Sequence, residues 1–272
     1  MSEPSFRITF IGAGRMASAM IRSLLRSKRL RPDELACCSA NDGTAESLVA
    51  DTGIGLIDLD ASTPFQTDTM VLACKPQQLS TLSPVVVEAS KQTLLVSILA
   101  GTPLQKLMCK MPACRNHVRV MPNTPGSVGA GVSAFAARGL LNEADRSTVE
   151  SLLSSMGVFI EVKEQELDAI TAVSGSGPAY LFLFVEALFE AAKQQGFADN
   201  VAMMLARQTV IGSTKLLDES GLDPAELRRQ VTSPGGTTQA AIEQFQSDGF
   251  AAIVARAVQA AHDRSVELGQ LD

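Results

Sequence analysis

Histidine, aromatic residues and paired cysteines are scarce in this 272-residue chain. It has two histidines, no tryptophan, one tyrosine, and five cysteines (37, 38, 74, 109 and 114) without a CxxC pair. Neither a metal site nor a disulfide framework is expected, and reduced thiols point to a cytoplasmic protein. Basic residues are not in excess: 23 Lys and Arg stand against 29 Asp and Glu, a net charge of −6. That balance argues against a nucleic-acid partner. Long hydrophobic runs are missing too. The longest, residues 180–192, is broken by Glu186 and Glu190 and is short for a bilayer span, so no membrane association is expected. The first strand begins almost at once, and no signal peptide is expected.

What is present is a globular composition, 46% hydrophobic and 19% charged. The length gives room for two domains, each with its own core. Residues 7–11 alternate into an apolar strand that runs into Gly12-Ala13-Gly14-Arg15-Met16-Ala17, and a helix follows over 16–27. Strand, G-x-G-x-x-A, helix is the setting of the dinucleotide fingerprint. Gly12 makes the tight turn, Gly14 lets the backbone approach a pyrophosphate, and Ala17 permits close helix–strand packing. Further strands are predicted at 35–39, 54–57, 69–73, 93–98, 118–120 and 157–162, with a helix at 44–51. They deliver small residues, glycines and prolines to one rim: Ala73-Cys74-Lys75-Pro76-Gln77, Ala100-Gly101-Thr102 and Met121-Pro122-Asn123-Thr124-Pro125. The alternation predicts a doubly wound parallel sheet, an α/β dinucleotide-binding domain over residues 1–162. Lys75 holds a phosphate or substrate there, or is a solvated lysine beside a turn proline.

From 163 to 272 the pattern is helical, with helices predicted at 164–173, 178–195, 200–218, 224–230, 239–245 and 250–268. The second is apolar almost all round, so it must be buried on every side. The helical half is too small to surround it, and a second copy of the chain is expected to do so. Gly175-Ser176-Gly177-Pro178 precedes that helix, and Ser174 and Ser176 cap it or line a cleft between the domains. Near the end, Val231-Thr232-Ser233-Pro234-Gly235-Gly236-Thr237-Thr238 joins two helices. Its glycines allow a tight turn, and the amides of Gly236, Thr237 and Thr238 are expected to stand free at a helix N-terminus that favours an anion. The plainer reading of these residues is a helix cap with turn glycines.

Together these landmarks resemble the pyrroline-5-carboxylate reductase family. The resemblance runs nearly end to end, through the fingerprint at 12–17, residues 73–77, 119–125 and 173–180, and above all the Ser-Pro-Gly-Gly-x-Thr loop at 233–238. It implies an N-terminal Rossmann domain, an all-α C-terminal dimerisation domain, and NADPH, less often NADH, as hydride donor. It also implies a homodimer that assembles into a larger ring. The substrate would be a small cyclic imino acid, 1-pyrroline-5-carboxylate, reduced to L-proline. By this resemblance Gly236 and Thr237 take the substrate carboxylate with Ser233, Gly235 and Ser176 nearby, and the Thr238 hydroxyl faces the ring nitrogen. Gly12, Ala13, Gly14, Arg15, Met16, Ser39, Asn41, Asp60, Ala73, Lys75, Pro76, Ala100 and Asn123 fall to the cofactor.

Two positions depart from the family pattern. Asp60 stands where an Asn is usual near the adenosine ribose. The turn Ser39-Ala40-Asn41-Asp42 lacks the arginine often seen in NADPH-preferring members. The chemistry suits the residues: a ketone needs a general acid such as His, Lys or Tyr, and these loops offer none. A cyclic imine is basic at nitrogen and needs positioning, a carboxylate anchor and a donor. The β-hydroxyacid dehydrogenases share the two-domain plan, but their catalytic lysine would fall on Leu181. A non-catalytic NAD(P) sensor gives residues 233–238 no role, and a reductase of another cyclic imine remains a sister reading.

Overall fold

The computed structural model describes residues 4–40, 42–59 and 65–270; the expected cofactor residues Asn41 and Asp60 lie outside them. Along the chain the elements are β1 (Ser5–Ile11), α1 (Arg15–Arg26), β2 (Leu35–Cys38), α2 (Thr44–Thr52), β3 (Gly55–Leu56), β4 (Gln66–Leu72) and α3 (Pro84–Ala89). There follow β5 (Leu94–Ser97), α4 (Leu104–Lys110), β6 (Asn116–Met121), β7 (Gly131–Ala137), α5 (Glu143–Ser154), β8 (Gly157–Glu161) and α6 (Leu167–Ile170). The helical remainder is α7 (Gly177–Gln194), α8 (Asp199–Ser220), α9 (Pro224–Gln230), α10 (Thr237–Ser247) and α11 (Phe250–Gln270).

The strands form one sheet in the order β3-β2-β1-β4-β5-β6-β7-β8. Chain order reverses beside β1, which pairs in parallel with both β2 and β4 and ends level with them, Ile11 opposite Cys38 and Leu72. In open α/β sheets that reversal is where the strand ends gape and ligands bind. Period-2 alternation sends successive residues to opposite faces. Ile8, Phe10, Val71, Val96 and Val118 pack under α1, α2 and α5, whereas Met70, Leu72 and Leu95 pack under α3 and α4. The sheet is thus covered on both sides, a Rossmann-type layer structure.

One expectation is corrected. The sheet is not parallel throughout: β7, absent from the sequence reading, runs antiparallel to β6, with Val120 opposite Phe135, and carries β8 parallel to itself. The reason lies in the connection. Between Met121 and Gly131 there is only a short 3-10 turn (Thr124–Val128), and a parallel return needs a crossover of a dozen residues or more.

The chain divides into two compact units, residues 1–176 with 261–272, and residues 177–260. That division falls beyond the boundary expected at 162, for a visible reason. Leu167 is buried on Ala134 and Ala136 of β7, and Glu164 accepts the Leu104 amide at 2.6 Å. Buried Arg119 on β6 reaches Asp168 at 3.1 Å and Glu164 at 3.7 Å. The end of α11 joins this network, the Ser265 hydroxyl donating to Asp168 at 2.8 Å. A buried cation held by two carboxylates, one of which also accepts from a hydroxyl, ties these segments to the sheet.

In the second unit α7 packs along α8, yet among its residues Phe182 and Leu183 stay more than 60% exposed. This face is what the sequence assigned to burial. By length and composition alone, the helical run Glu164–Gln194 could cross a membrane; its first part instead docks on the sheet of the first unit.

Candidate active site

Gly12 ends β1 with φ +114°, its amide bonded to the Cys38 carbonyl at 2.8 Å. A Cβ there would lie 2.5 Å from the Ala73 carbonyl oxygen, so only glycine lets β1 and β4 close up at the rim. Gly14 differs. It is the N-cap of α1, with ordinary dihedrals and no side-chain cap, and a Cβ there would enter open space. Ala17 is buried in the core, where α1 sits close to the sheet.

This turn opens on a cavity of about 540 Å³, bounded by Gly12, Ala13, Gly14, Ser39, Ala73 and Lys75. The structure thus brings together six of the residues expected at the cofactor. A glycine-lined helix N-terminus beside open space fits a pyrophosphate, and the volume suits a nucleotide half. Cys38 and Cys74 also face the cavity. Burial pushes the Cys38 thiol up to about 12 and raises that of Cys74, so both are neutral thiols. Two further lining residues, Asp42 and Thr44, lock the turn after β2. Asp42 Oδ1 accepts from the Thr44 amide at 3.0 Å, the Thr44 hydroxyl at 2.6 Å and the Ser39 hydroxyl at 3.1 Å. These bonds hold the Asp42 carboxyl below its usual range, the Thr44 hydroxyl first among them.

Other expected residues sit on the same rim without bordering the cavity. Arg15 is exposed and Met16 half-buried in the first turn of α1, and Ala100 is exposed past β5. Pro76 opens a 3-10 turn (Pro76–Gln78), closed by Gln78, whose side chain accepts the Lys75 amide at 2.9 Å. Asn123 is a different case: its side-chain amide is committed within the protein. Its Nδ2 donates to the Ser174 carbonyl at 3.2 Å and its Oδ1 accepts from the Val132 amide at 3.0 Å. At 8% exposure it clamps β7 and the Ser174 turn to the end of β6, a function its place in a Pro-Asn-Thr-Pro run did not disclose.

Ser176 follows a π-helical turn (Thr171–Gly175), its amide bonded to the Thr171 carbonyl at 2.8 Å. Such a turn widens a helix and is often found at functional positions.

In the helical unit, Ser233-Pro234-Gly235-Gly236 is a turn closed by Gly236 N–H to Ser233 carbonyl, 3.0 Å. Pro at its second place and φ +69° at Gly235 are the demands of a type II turn. This corrects one expectation: the Gly236 amide is not free, because the turn consumes it. Gly235 donates to the Gln239 side chain at 2.7 Å, a contact the sequence reading missed because a side chain four residues ahead makes it. The first helical residues are then Thr237 and Thr238, earlier than the expected start at 239. Both amides stand at the N-terminus of an 11-residue helix with no side-chain cap. Thr237 is exposed and Thr238 half-buried.

Residues 164–268 match the family model for pyrroline-5-carboxylate reductase dimerisation, and residues 7–101 match one for coenzyme F420-dependent NADP oxidoreductases. A pyrroline-5-carboxylate reductase of Pseudomonas aeruginosa is 38% identical over 275 residues, with 99% of this chain and 98% of that one covered. The chain belongs to the pyrroline-5-carboxylate reductase family. Another pyrroline-5-carboxylate reductase, from Glycine max, is 36% identical, with 97% and 96% covered. The solved pyrroline-5-carboxylate reductase of Coxiella burnetii gives a TM-score of 0.84 at 32% identity, covering 97% of this chain and 98% of that one. The Plasmodium falciparum pyrroline carboxylate reductase, solved with NADP bound, gives 0.78 at 27%, covering 98% and 100%. The dimerisation match begins at residue 164, on the segment that docks on the sheet.

Proposed function

We propose how this chain carries out its reaction, the NAD(P)H-dependent reduction of 1-pyrroline-5-carboxylate to L-proline. The type II turn at Ser233-Pro234-Gly235-Gly236 carries the reading, because it delivers Thr237 and Thr238 uncapped to the start of α10. Their amides take the substrate carboxylate, favoured by the positive end of the helix dipole. The Thr238 hydroxyl oxygen accepts from the protonated ring N–H, and the hydroxyl donates to the nitrogen lone pair as hydride addition creates it. The substrate imine, protonated at nitrogen, needs no further acid. Hydride added to its carbon gives the neutral secondary amine, and the atoms and charges balance. Ser233 and Gly235 shape the turn that leads into this end of α10.

A bound nicotinamide dinucleotide supplies the hydride. Gly12, Ala13, Gly14, Arg15 and Met16 hold its pyrophosphate at the start of α1, and Ser39 the adenosine ribose. Ala73, Lys75, Pro76, Ala100 and Asn123 border its path along the rim. Residues 1–162 act as the dinucleotide half, and the helices that follow supply the substrate and dimer half. NADPH is the preferred donor, with NADH also used. The working form is a homodimer, assembled into a ring of dimers in the cytoplasm, and the apolar face of α7 supports that assembly.

The test follows NADPH oxidation by purified protein offered 1-pyrroline-5-carboxylate and its six-membered analogue. The five-membered imine is expected to be reduced faster. Protein that binds NADPH and leaves both imines untouched would sink the assignment.

A further inference from the structure

We propose that Ser265, near the end of α11, is a positioning residue for the cofactor, holding the turn after β5 through Asp168 and Leu268. The proposal rests on reading the sheet rim from Gly12 to Ala100 as the path of the dinucleotide. Among the described residues of α11, the one that is buried is a serine, Ser265, at 4% exposure. A serine inside a helix ordinarily bonds back to a carbonyl one turn earlier. Ser265 instead donates its hydroxyl to Asp168 Oδ1 at 2.8 Å, across 97 positions of sequence. The same oxygen accepts from Arg119 Nη2 at 3.1 Å, so the acceptor is itself fixed to β6.

One turn beyond this anchor, and on the same face of α11, Leu268 meets the turn after β5. A Cβ on Gly101 would lie 2.8 Å from Leu268 Cβ, and one on Gly269 would lie 3.2 Å from the Gly101 carbonyl oxygen. Gly101 has φ +65°, so its backbone conformation and its close neighbour both demand glycine. The far side of the turn is held too. The Leu104 amide, at the start of α4, donates to Glu164 Oε1 at 2.6 Å, and that oxygen lies 3.7 Å from Arg119 Nη1. Residues 101–104 are thus gripped from both ends by groups that meet at Arg119.

This hold matters because of where the turn stands. β5 pairs in parallel with β4, Ser97 opposite Leu72. The turn therefore leaves the same rim as Ala73 and Lys75, which border the cavity. Three strand spacings, about 14 Å, separate β5 from β2. A dinucleotide with its adenosine at Ser39 has its nicotinamide half near Ala100. With the Ser265 anchor removed, the last turn of α11 frays as helix ends do, and residues 100–102 lose their backing. Binding the nicotinamide half then costs the ordering of that turn, whereas the adenosine half is unaffected.

The test measures NADPH and 5′-AMP binding by calorimetry, with steady-state kinetics, in the parent, Ser265→Ala and Leu268→Ala. Both variants should bind NADPH about three- to tenfold more weakly and raise its KM to match. Their 5′-AMP binding, and kcat at saturating NADPH, should stay within about twofold of the parent. Leu268 is exposed, so its variant is expected to fold and decides the matter if the other does not. Unchanged NADPH affinity, even with a lowered melting temperature, would overturn the role of Ser265 while leaving the rim assignment standing. Equal weakening of NADPH and 5′-AMP would overturn it too, as a loss of fold and not of position. If neither ligand bound the parent, the rim assignment would fall and this proposal with it.

Discussion

Replacing Gly12 and Gly14 separately by alanine should give opposite defects, although the two lie two residues apart in one motif. At Gly12 the backbone has φ +114°, where an L-residue is strained by about 1–3 kcal/mol. The new methyl would lie 2.5 Å from the Ala73 carbonyl oxygen and 2.7 Å from the Cys74 amide nitrogen. Both are backbone atoms just past β4, where the Ala73 amide bonds to the Ile11 carbonyl at 2.9 Å. They cannot rotate away as a side chain would, and overpacking adds about 1–3 kcal/mol. A total of roughly 2–6 kcal/mol is a large part of a typical folding free energy. Gly12→Ala should therefore lower the unfolding temperature markedly and reduce the soluble yield. At Gly14 the φ of −68° suits any residue, and the methyl meets nothing within 4 Å. The fold should lose at most about 1 kcal/mol from the weaker N-cap. The methyl does, however, fill the space beside the amides of α1 where a pyrophosphate would settle. NADPH affinity should fall about 10–100-fold, equivalent to about 1.4–2.8 kcal/mol. Thermal unfolding and NADPH fluorescence titration on both variants read the two effects. A Gly14→Ala protein that bound NADPH like its parent would refute the assignment of that open space.

Thr238→Ala should lower turnover by roughly 10–1000-fold with the fold intact, and Thr238→Ser should keep much of the activity; a fully active alanine variant would make this residue a helix cap only. Phe184→Asp puts a charge on the apolar face of α7 beside Phe182 and Leu183, and should give aggregates or unfolded chains. A well-behaved monomer of the parent in sedimentation would contradict the pairing of that face. His117 is fully buried, with Nε2 at 2.9 Å from the Met111 carbonyl and Nδ1 without a partner among the described residues. Burial lowers its pKa from 6.5, so the folded state keeps it neutral while the unfolded chain takes up a proton below that pH. Its contribution is complete above about pH 6.5 and is lost as pH falls toward the folded pKa. Urea midpoints should therefore drop on acidification, and less steeply in His117→Asn; parallel slopes would rule this out.

Much of the site was legible because its signals are local. The turn at Gly12 and Gly14 follows from a strand running into a glycine pair and a helix, and a tight turn at 233–236 follows from its two glycines, although its type was not read from the sequence. Each needs only residues a few places apart, and their backbone dihedrals agree with that reading. The helices α7 to α11 were likewise marked by the pattern of the sequence, within about two residues at each end. What the chain did not announce were matters of partnership over distance. β7 is built mostly of small residues and runs antiparallel to β6, and its place depends on the brevity of the link after β6. Which donors remain for a ligand was equally hidden. The Gly236 amide is consumed by Ser233, the Asn123 side chain by Ser174 and Val132, and the Asp42 carboxylate by Ser39 and Thr44. A sequence names donors and acceptors, but it does not say which are already paired. Nor did it show that residues 163–176 belong with the sheet, because that is decided by a buried arginine on β6 meeting Asp168 and Glu164. Local conformation follows from steric limits on neighbouring dihedrals, whereas hydrogen-bond pairing follows from close packing, and only the folded chain settles that.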